Sequence, residues 1–218
     1  MKTSIDVKKK LWARLIMVLS HKYKFIFVKT SKTAGTSLEV FLSDVCGEAD
    51  IFSPILPAVE SHRPRNFQQG EFTAHMSCNE IRARVGSEIW DTYYKFCVER
   101  NPWDKVLSHY HMQRFRSGDE LGLEEYFQSE LFPRDWHKYA NDDGQLLVNK
   151  VLRYETLNVE LTNLFNILGV PFTGELQVRA KSEYRKDRRH YTEALTESQR
   201  QKIDQAFEKE INFFQYAF

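Results

Sequence analysis

The sequence predicts an α/β fold in which helices flank a central, mostly parallel β-sheet. Three observations predict it: short apolar runs that suit buried strands, helical periodicity after each run, and Gly or Pro residues near the helix ends. Strands that alternate with helices pair in parallel, because each helix carries the chain back across the sheet. Ligands of such sheets bind beyond the carboxyl ends of the strands, so the loops at those ends are the candidate sites.

The predicted elements follow in order along the chain. Three pairs of a strand and a following helix are predicted, at Lys24–Lys29 with Leu38–Val45, Tyr93–Glu99 with Trp103–Tyr110, and Val148–Tyr154 with Leu157–Leu168. Gly47 and Gly169 end the first and third helices. A last helix begins at Thr196, where Gln199 completes a capping box, and runs toward Phe214.

Residues 48–70 carry three prolines and little periodicity, which predicts an irregular excursion. Long loops of this kind are often functional. Together with residues 112–145, this segment is expected to shape the acceptor side of any active site.

Composition sets limits on the function. The chain has 218 residues and a formal net charge of +1, which argues for one soluble domain and against a general nucleic-acid binder. Its three cysteines have no CxxC spacing, so they predict neither a zinc site nor a disulfide framework. Buried thiols in a reducing compartment are the simpler interpretation, and they favour a cytoplasmic protein.

The N-terminal residues 1–23 are predicted to form a basic amphipathic helix ahead of a main domain at 24–218. Lys8–Lys10 precede the apolar run Leu11–Ser20, which is far below the ~20 residues of a membrane span. One helical face collects the apolar side chains Leu11, Leu15, Val18 and Leu19. The helix is expected to pack on the domain, with peripheral contact of residues 8–20 to a membrane surface as the alternative.

The segment Phe25–Ser37, FIFVKTSKTAGTS, has the build of a phosphate-binding loop. An apolar strand runs into a short Lys/Thr/Gly/Ser loop and then a helix, whose first N–H groups and dipole attract an anion. Gly35 is expected to allow backbone angles that a side chain would resist. The donors proposed for a phosphate group come from Lys32, Thr33, Ala34, Gly35, Thr36 and Ser37. A plain strand–helix turn is the alternative, and the chain lacks the Gly–Lys pair of ATP- and GTP-type loops.

The segment Arg100–Tyr110, RNPWDKVLSHY, offers donors for a second phosphate. Arg100 ends a predicted strand, and Ser108 lies one to two turns into the helix that follows. A guanidinium fork and a hydroxyl at this separation can hold one phosphate from two sides. The alternative is an arginine in a surface ion pair and a serine on a solvated face.

Together the two segments resemble the sulfotransferases that use 3′-phosphoadenosine 5′-phosphosulfate (PAPS), and in particular their carbohydrate branch. The resemblance rests on Lys32–Ser37, on Arg100 with Ser108, on RYETL at Arg153–Leu157 and on SEYRKDRRHYTEAL at Ser182–Leu195, and it covers about residues 24–218. It implies the P-loop-NTPase-like sulfotransferase fold, PAPS as donor and 3′-phosphoadenosine 5′-phosphate (PAP) as product, with no metal required. The Lys32 loop would then hold the 5′-phosphosulfate, and Arg100 and Ser108 the 3′-phosphate. The family often has proline before the loop lysine, where this chain has Ser31.

Sulfuryl transfer needs a group that stabilises the leaving phosphate and a base that takes the acceptor proton. Lys32 is predicted to do the first. His75, in FTAHMSCNEIR, is predicted to be the base, because a histidine before an amphipathic run resembles the base position of the carbohydrate branch. A helix-capping or packed histidine is the alternative, and His62 and Glu60 are the runners-up for the base.

The basic cluster of Arg185, Arg188 and Arg189 is the densest in the chain. Such a cluster is usually a solvated surface, but beside a doubly phosphorylated nucleotide it would close over the 3′-phosphate. The sequence therefore favours an enzyme that sulfates a hydroxyl of a sugar or another small molecule by in-line transfer. A nucleotide-dependent phosphotransferase and a non-catalytic phosphoadenosine-binding module are the alternatives.

Overall fold

The computed structural model describes residues 18–67, 76–178, 184–185 and 187–218. Their sheet has five strands: β1 at Val18–Ser20, β2 at Phe25–Phe27, β3 at Ile51–Phe52, β4 at Tyr94–Glu99 and β5 at Lys150–Arg153. The spatial order is β3-β1-β2-β4-β5. β1 is antiparallel to both β2 and β3, whereas the β2–β4 and β4–β5 pairs are parallel. All strands except β1 therefore point the same way, and their carboxyl ends share one edge.

Helices connect and cover these strands. In chain order they are α1 at Gly35–Val45, α2 at Cys78–Thr92, α3 at Pro102–Arg116, α4 at Leu123–Ser129, α5 at Trp136–Tyr139, α6 at Leu157–Leu168, α7 at Tyr191–Ala194, α8 at Glu197–Ala206 and α9 at Glu208–Phe214. The predicted α/β class and its three strand–helix pairs are confirmed. None of the helices in the described part of the chain combines the length and apolar character needed to cross a bilayer.

Apolar side chains alternate between the two faces of the sheet, so both faces are buried. Phe25 and Phe27 of β2 lie in one core cluster with residues of α1 and α6. Ile26 lies in the other, with residues of α2, α5 and α9. A third cluster joins α3 to α4 and α8. The predicted buried strands follow from this arrangement, because a sheet covered on both sides has near-continuous apolar strands.

The end of the predicted N-terminal helix is a strand, which corrects that prediction. Val18 and Leu19 are fully enclosed between the neighbouring strands and the core. Asp50 holds the turn after β1, because its carboxylate accepts hydrogen bonds from the Ser20 hydroxyl at 2.6 Å and the His21 N–H at 2.7 Å. The sheet therefore begins before residue 24, and the rest of the predicted helix lies outside the described residues.

Two further boundaries differ from the prediction. The excursion 48–70 contributes the edge strand β3, where the Phe52 and Arg65 backbones bond to each other. The last helix has the expected capping box at Thr196 and Gln199, but it is broken at Phe207 into α8 and α9. Phe207 is fully buried at this break, and its backbone leaves the helical conformation, with φ −121° and ψ 26°.

Of the two predicted glycine stops, one is confirmed. α6 ends at Gly169, whose φ of 70° is the left-handed conformation of a glycine cap. α1 instead ends at Val45 with Cys46 as an extended cap, and Gly47 has no positive φ, which corrects the role predicted for Gly47. The cysteines Cys46, Cys78 and Cys97 are free and buried.

Candidate functional site

The loop between β2 and α1 is shaped to receive an anion. Lys32 and Ala34 have φ values of 61° and 58°, so the backbone turns sharply at both residues. The first helical bond runs from the Leu38 N–H to the Ala34 carbonyl, and Ala34 has no side-chain oxygen to cap the helix. The N–H groups of Gly35, Thr36 and Ser37 therefore lie in the first turn of α1, where they precede the hydrogen-bond ladder of the helix. Such a turn at the start of a helix is a general anion-binding arrangement.

Gly35 serves this loop through close packing, which corrects the role predicted for it. Its φ is not positive, and it begins the helix. A Cβ built on Gly35 would lie 2.7 Å from Cε and 2.8 Å from Cγ of Lys29. The residue is glycine because the stem of Lys29 runs directly beneath it.

Lys29 forms a buried ion pair that fixes the start of α1. Its Nζ lies 2.5 Å from the Glu39 carboxylate and 3.5 Å from the Thr36 hydroxyl. Burial lowers the pKa of Lys29, and the attraction of Glu39 opposes that effect. Since both side chains of the pair are almost fully enclosed, Lys29 supports the loop from below.

Asp135 holds the loop from the opposite side. It lies just before α5 and is fully buried. Its Oδ2 accepts the backbone N–H of Ser31 at 2.6 Å, and its Oδ1 accepts the Ser31 hydroxyl at 3.2 Å. A proline has no N–H to donate, so this clamp requires another residue at position 31. The clamp restricts the loop at the position where the resembled family often has proline.

Lys32 connects the loop to the second segment. Its carbonyl accepts a hydrogen bond from Arg100 Nη1 at 2.9 Å. Its Nζ lies 3.6 Å from Sδ of Met112 on α3 and 5.9 Å from the ring centroid of Tyr184. The two predicted phosphate loops are thus in direct contact at one edge of the sheet.

Arg100 is held by α3 and by the aromatic ring of Tyr154. Its Nε and Nη2 donate to the same carboxylate oxygen of Asp104, at 2.9 and 2.6 Å. Its guanidinium carbon lies 4.2 Å from the Tyr154 ring centroid. The other oxygen of Asp104 accepts Arg185 Nη1 at 2.5 Å. Burial alone would raise the pKa of Asp104, but Arg100 and Arg185 outweigh it and hold that pKa below its usual value.

Ser108 lies on the face of α3 that looks toward both loops. It follows Asp104 by one turn and precedes Met112 by one turn, so it sits between the arginine pair and the Lys32 contact. Its hydroxyl makes no hydrogen bond to any residue that the structure describes, and the residue is only partly buried. This hydroxyl is free to bind a ligand at the junction.

The three arginines after residue 184 have different surroundings. Arg185 is the one that reaches the site, and its side chain is 18% exposed. Arg189 is 61% exposed and pairs with Asp187 of its own segment. Arg188 is exposed. Arg185 is therefore the member of the cluster that the structure brings to Arg100.

Of the three candidate bases, His62 and Glu60 lie among the described residues. His75 lies outside the described residues, so its role stays a prediction. His62 is buried: its Nε2 donates to the Ser53 carbonyl at 2.8 Å, and its Nδ1 is shielded from solvent. Burial lowers the pKa of His62, with smaller contributions from Lys29 and Arg65. Glu60 is exposed on the loop after β3.

His109 illustrates how closely the loop approaches α3. Burial, with a smaller contribution from Lys32, lowers its pKa to about 4. Its Nδ1 lies 2.8 Å from the Tyr126 hydroxyl and its Nε2 3.2 Å from the Gln113 side chain. Both ring nitrogens are occupied, so His109 is a neutral packing residue.

A buried ionic network lies behind the two loops, and sequence reasoning missed it. The Lys105 ammonium lies 2.7 Å from Glu99 and 2.9 Å from Asp135, and all three side chains are almost completely enclosed. Lys138 also pairs with Asp135, and the Tyr139 hydroxyl donates to Glu99 at 2.9 Å. Burial alone would lower the pKa of Lys105, but the two carboxylates raise it above its usual value. The charge of Lys105 is therefore kept.

Sequence reasoning did not single out Asp104 or Asp135, and only Asp104 had a signal in the sequence. Asp104 stands four residues after Arg100, a helical ion-pair spacing that is visible in the sequence. Asp135 is 104 residues from Ser31, and no local pattern indicates that contact.

Among the described residues no group of three or more His, Cys, Asp or Glu side chains could hold a metal ion.

Comparisons with known proteins add one relative and one solved structure. No family model matches the chain. A protein of Archaeoglobus fulgidus, described as uncharacterized, is 34% identical over 117 residues, which are 49% of this chain and 94% of the archaeal protein. The chain therefore belongs to the same family as that archaeal protein. The crystal structure of mouse sulfotransferase SULT7A1 complexed with PAP matches 88% of this chain and 85% of its own, with 16% identity and a TM-score of 0.45.

Proposed function

We propose that this protein is a sulfotransferase that moves a sulfuryl group from PAPS to a hydroxyl of a carbohydrate or another small molecule. The observation that carries the proposal is the contact of two anion-suited loops at one edge of the sheet. Arg100 donates to the Lys32 carbonyl there, and the free hydroxyl of Ser108 lies on the adjoining helix face. A ligand with two separated phosphate groups matches such a pair of loops.

The donor set fits the nucleotide. The N–H groups that begin α1, with Lys32, Thr36 and Ser37, would hold the 5′-phosphosulfate. Arg100, Ser108 and Arg185 would hold the 3′-phosphate, with Arg188 and Arg189 as outer charges. When bound, the nucleotide supplies the activated sulfuryl group.

The chain's own residues would perform the remaining steps. Lys32 would stabilise charge on the leaving phosphate oxygen, because its ammonium is a point charge on the loop itself. His75 would take the proton of the acceptor hydroxyl, with His62 and Glu60 as the alternatives. The loop's two anchors, Lys29 with Glu39 below and Asp135 behind, would keep these donors in place while the ligand binds.

Domain organisation and compartment belong to the same proposal. The catalytic domain would comprise residues 24–218 together with β1, preceded by the basic N-terminal segment. The buried, unpaired cysteines favour a cytoplasmic site of action.

Calorimetry with PAP, AMP and ATP tests the proposal. Charge-assisted bonds to the 3′-phosphate are worth about 1.5–3 kcal/mol, so PAP should bind at least ~10-fold more tightly than AMP. ATP as the preferred ligand would indicate a phosphotransferase. Equal affinities for PAP and AMP would remove the PAPS assignment, and tight PAP binding without transfer to any hydroxyl acceptor would indicate a binding module.

A further inference from the structure

One continuous series of buried polar contacts joins the two loops. The Ser31 N–H donates to Asp135 Oδ2 at 2.6 Å, and that oxygen lies 2.9 Å from Lys105 Nζ. The same ammonium donates to Glu99 Oε1 at 2.7 Å, and this oxygen accepts the Arg100 N–H at 2.9 Å. Each end of this series of contacts is therefore a backbone N–H of one predicted phosphate loop.

This series of contacts is rigid. The side chains of Lys105, Glu99 and Asp135 are 0%, 1% and 1% exposed, so solvent does not compete for their contacts. The outer oxygens of the two carboxylates are occupied as well, by Tyr139 on Glu99 and by Lys138 on Asp135. A buried network whose members are all paired defines one arrangement of the backbone that it holds.

We infer that Lys105 is a positioning residue that sets the separation of the two phosphate-binding loops and thereby the preference for a ligand with two phosphates. The inference rests on the proposed function. Lys105 touches no ligand itself: it acts through Asp135 on the residue before Lys32, and through Glu99 on Arg100. A ligand held by one loop alone does not depend on that separation, whereas a 3′,5′-bisphosphate does.

The test compares affinities for PAP and AMP in wild type and in Lys105→Met. The methionine side chain fills similar space without a charge, so the tie between the carboxylates is lost. We expect PAP affinity to fall at least ~10-fold and AMP affinity to change less than ~3-fold. Lys105→Arg restores a cation to both carboxylates and should return the PAP-to-AMP ratio to within ~3-fold of wild type.

Loss of Lys105 leaves two buried carboxylates without their shared partner, so stability must be measured alongside binding. Leu164→Ala, in the core cluster between α1 and α6, is the matched destabilised control and should keep the wild-type ratio. Glu99→Gln is a milder second variant, because it keeps an acceptor for the Arg100 N–H and leaves the Lys105–Asp135 pair. It should lower the ratio in the same direction.

The outcomes distinguish a failure of the proposed function from a failure of the inference about Lys105. If wild type binds PAP and AMP equally, the proposed function fails, and the inference fails with it. If wild type prefers PAP and folded Lys105→Met keeps the full preference, only the inference is overturned. Where Lys105→Met does not fold, a full preference in Glu99→Gln overturns the inference in the same way. A ratio that falls equally in Leu164→Ala would likewise overturn it, since general loosening would then explain the loss.

Discussion

At the scale of single residues, most side chains of the site already contact other protein groups, whereas one hydroxyl makes no hydrogen bond to the described residues. Arg100 and Arg185 converge on Asp104, and Lys32 lies against Met112 and Tyr184. Ser108 alone among these makes no hydrogen bond to the described residues. Its substitution therefore separates ligand binding from folding more cleanly than a change of the arginines.

Ser108→Ala is predicted to lower PAP affinity at least ~10-fold without changing stability. A hydroxyl bonded to a charged phosphate contributes about 1.5–3 kcal/mol, whereas in the free protein this hydroxyl bonds to no described residue. Calorimetry with PAP and AMP, together with thermal unfolding, provides the measurement. Ser117→Ala, near the end of α3, is the control for a lost serine hydroxyl and should bind PAP normally. Normal PAP affinity in Ser108→Ala would exclude the serine from the site.

Lys32 and His75 are predicted to affect different steps. Lys32→Ala should weaken nucleotide binding and turnover together, because its ammonium is proposed to contact the phosphosulfate. His75→Ala should leave PAP affinity nearly unchanged while turnover falls roughly 10²–10⁴-fold, the usual contribution of a positioned general base. Single-turnover assays and calorimetry on folded variants measure both effects. Near-normal turnover in His75→Ala would transfer the base role to His62 or Glu60.

At the scale of elements, local signals predict the strand–helix pairs but not their long-range supports. β2, β4 and β5 and the helices after them have apolar periodicity within a few residues, and α3 and α6 also have local caps at Asn101 and Gly169. β1 is different: Val18 and Leu19 fit a helical face in sequence, and pairing with β2 and β3 makes them a strand. The Ser31–Asp135 clamp joins residues 104 positions apart, and such contacts leave no periodic signal.

Gly35→Ala is predicted to damage the first loop through packing. The added Cβ would lie 2.7 Å from the Lys29 side chain, which cannot move aside because Glu39 holds its ammonium. We expect the free energy of unfolding to fall by about 1–3 kcal/mol, the usual cost of overpacking, and PAP affinity to fall with it. Chemical denaturation and calorimetry measure the two effects.

Gly122→Ala is the matched control, since a Cβ there would meet nothing within 4 Å and its backbone is extended. It should change the free energy of unfolding by less than about 1 kcal/mol and leave PAP affinity unchanged. If Gly35→Ala behaved like this control, the close packing of Lys29 beneath the loop would not constrain the site.

At the scale of the whole molecule, buried charges link the sheet to the C-terminal helices. Glu210 of α9 is 3% exposed, and its Oε1 has no hydrogen-bond partner among the described residues. Burial, reinforced by the nearby Glu99 and Asp135, raises the pKa of Glu210 to about 7, although Lys105 acts in the opposite direction. The network that ties the two loops therefore also acts on a carboxyl group in the last helix.

Glu210 should make stability depend on pH near neutrality. Its ordinary pKa is 4.5, so between about pH 4.5 and 7 the folded state holds a proton that the unfolded state releases. The stabilising contribution is complete below pH 4.5 and is lost as the pH rises through 7, by about 3 kcal/mol. Glu210→Gln stays neutral throughout and should exceed wild type in stability at pH 8 by up to that amount, with a much smaller difference at pH 5. Denaturation of both proteins at the two pH values measures this, and Glu208→Gln, an exposed neighbour on the same helix, controls for a lost surface charge. A stability difference between wild type and Glu210→Gln that is the same at pH 5 and pH 8 would show that Glu210 does not titrate in this range.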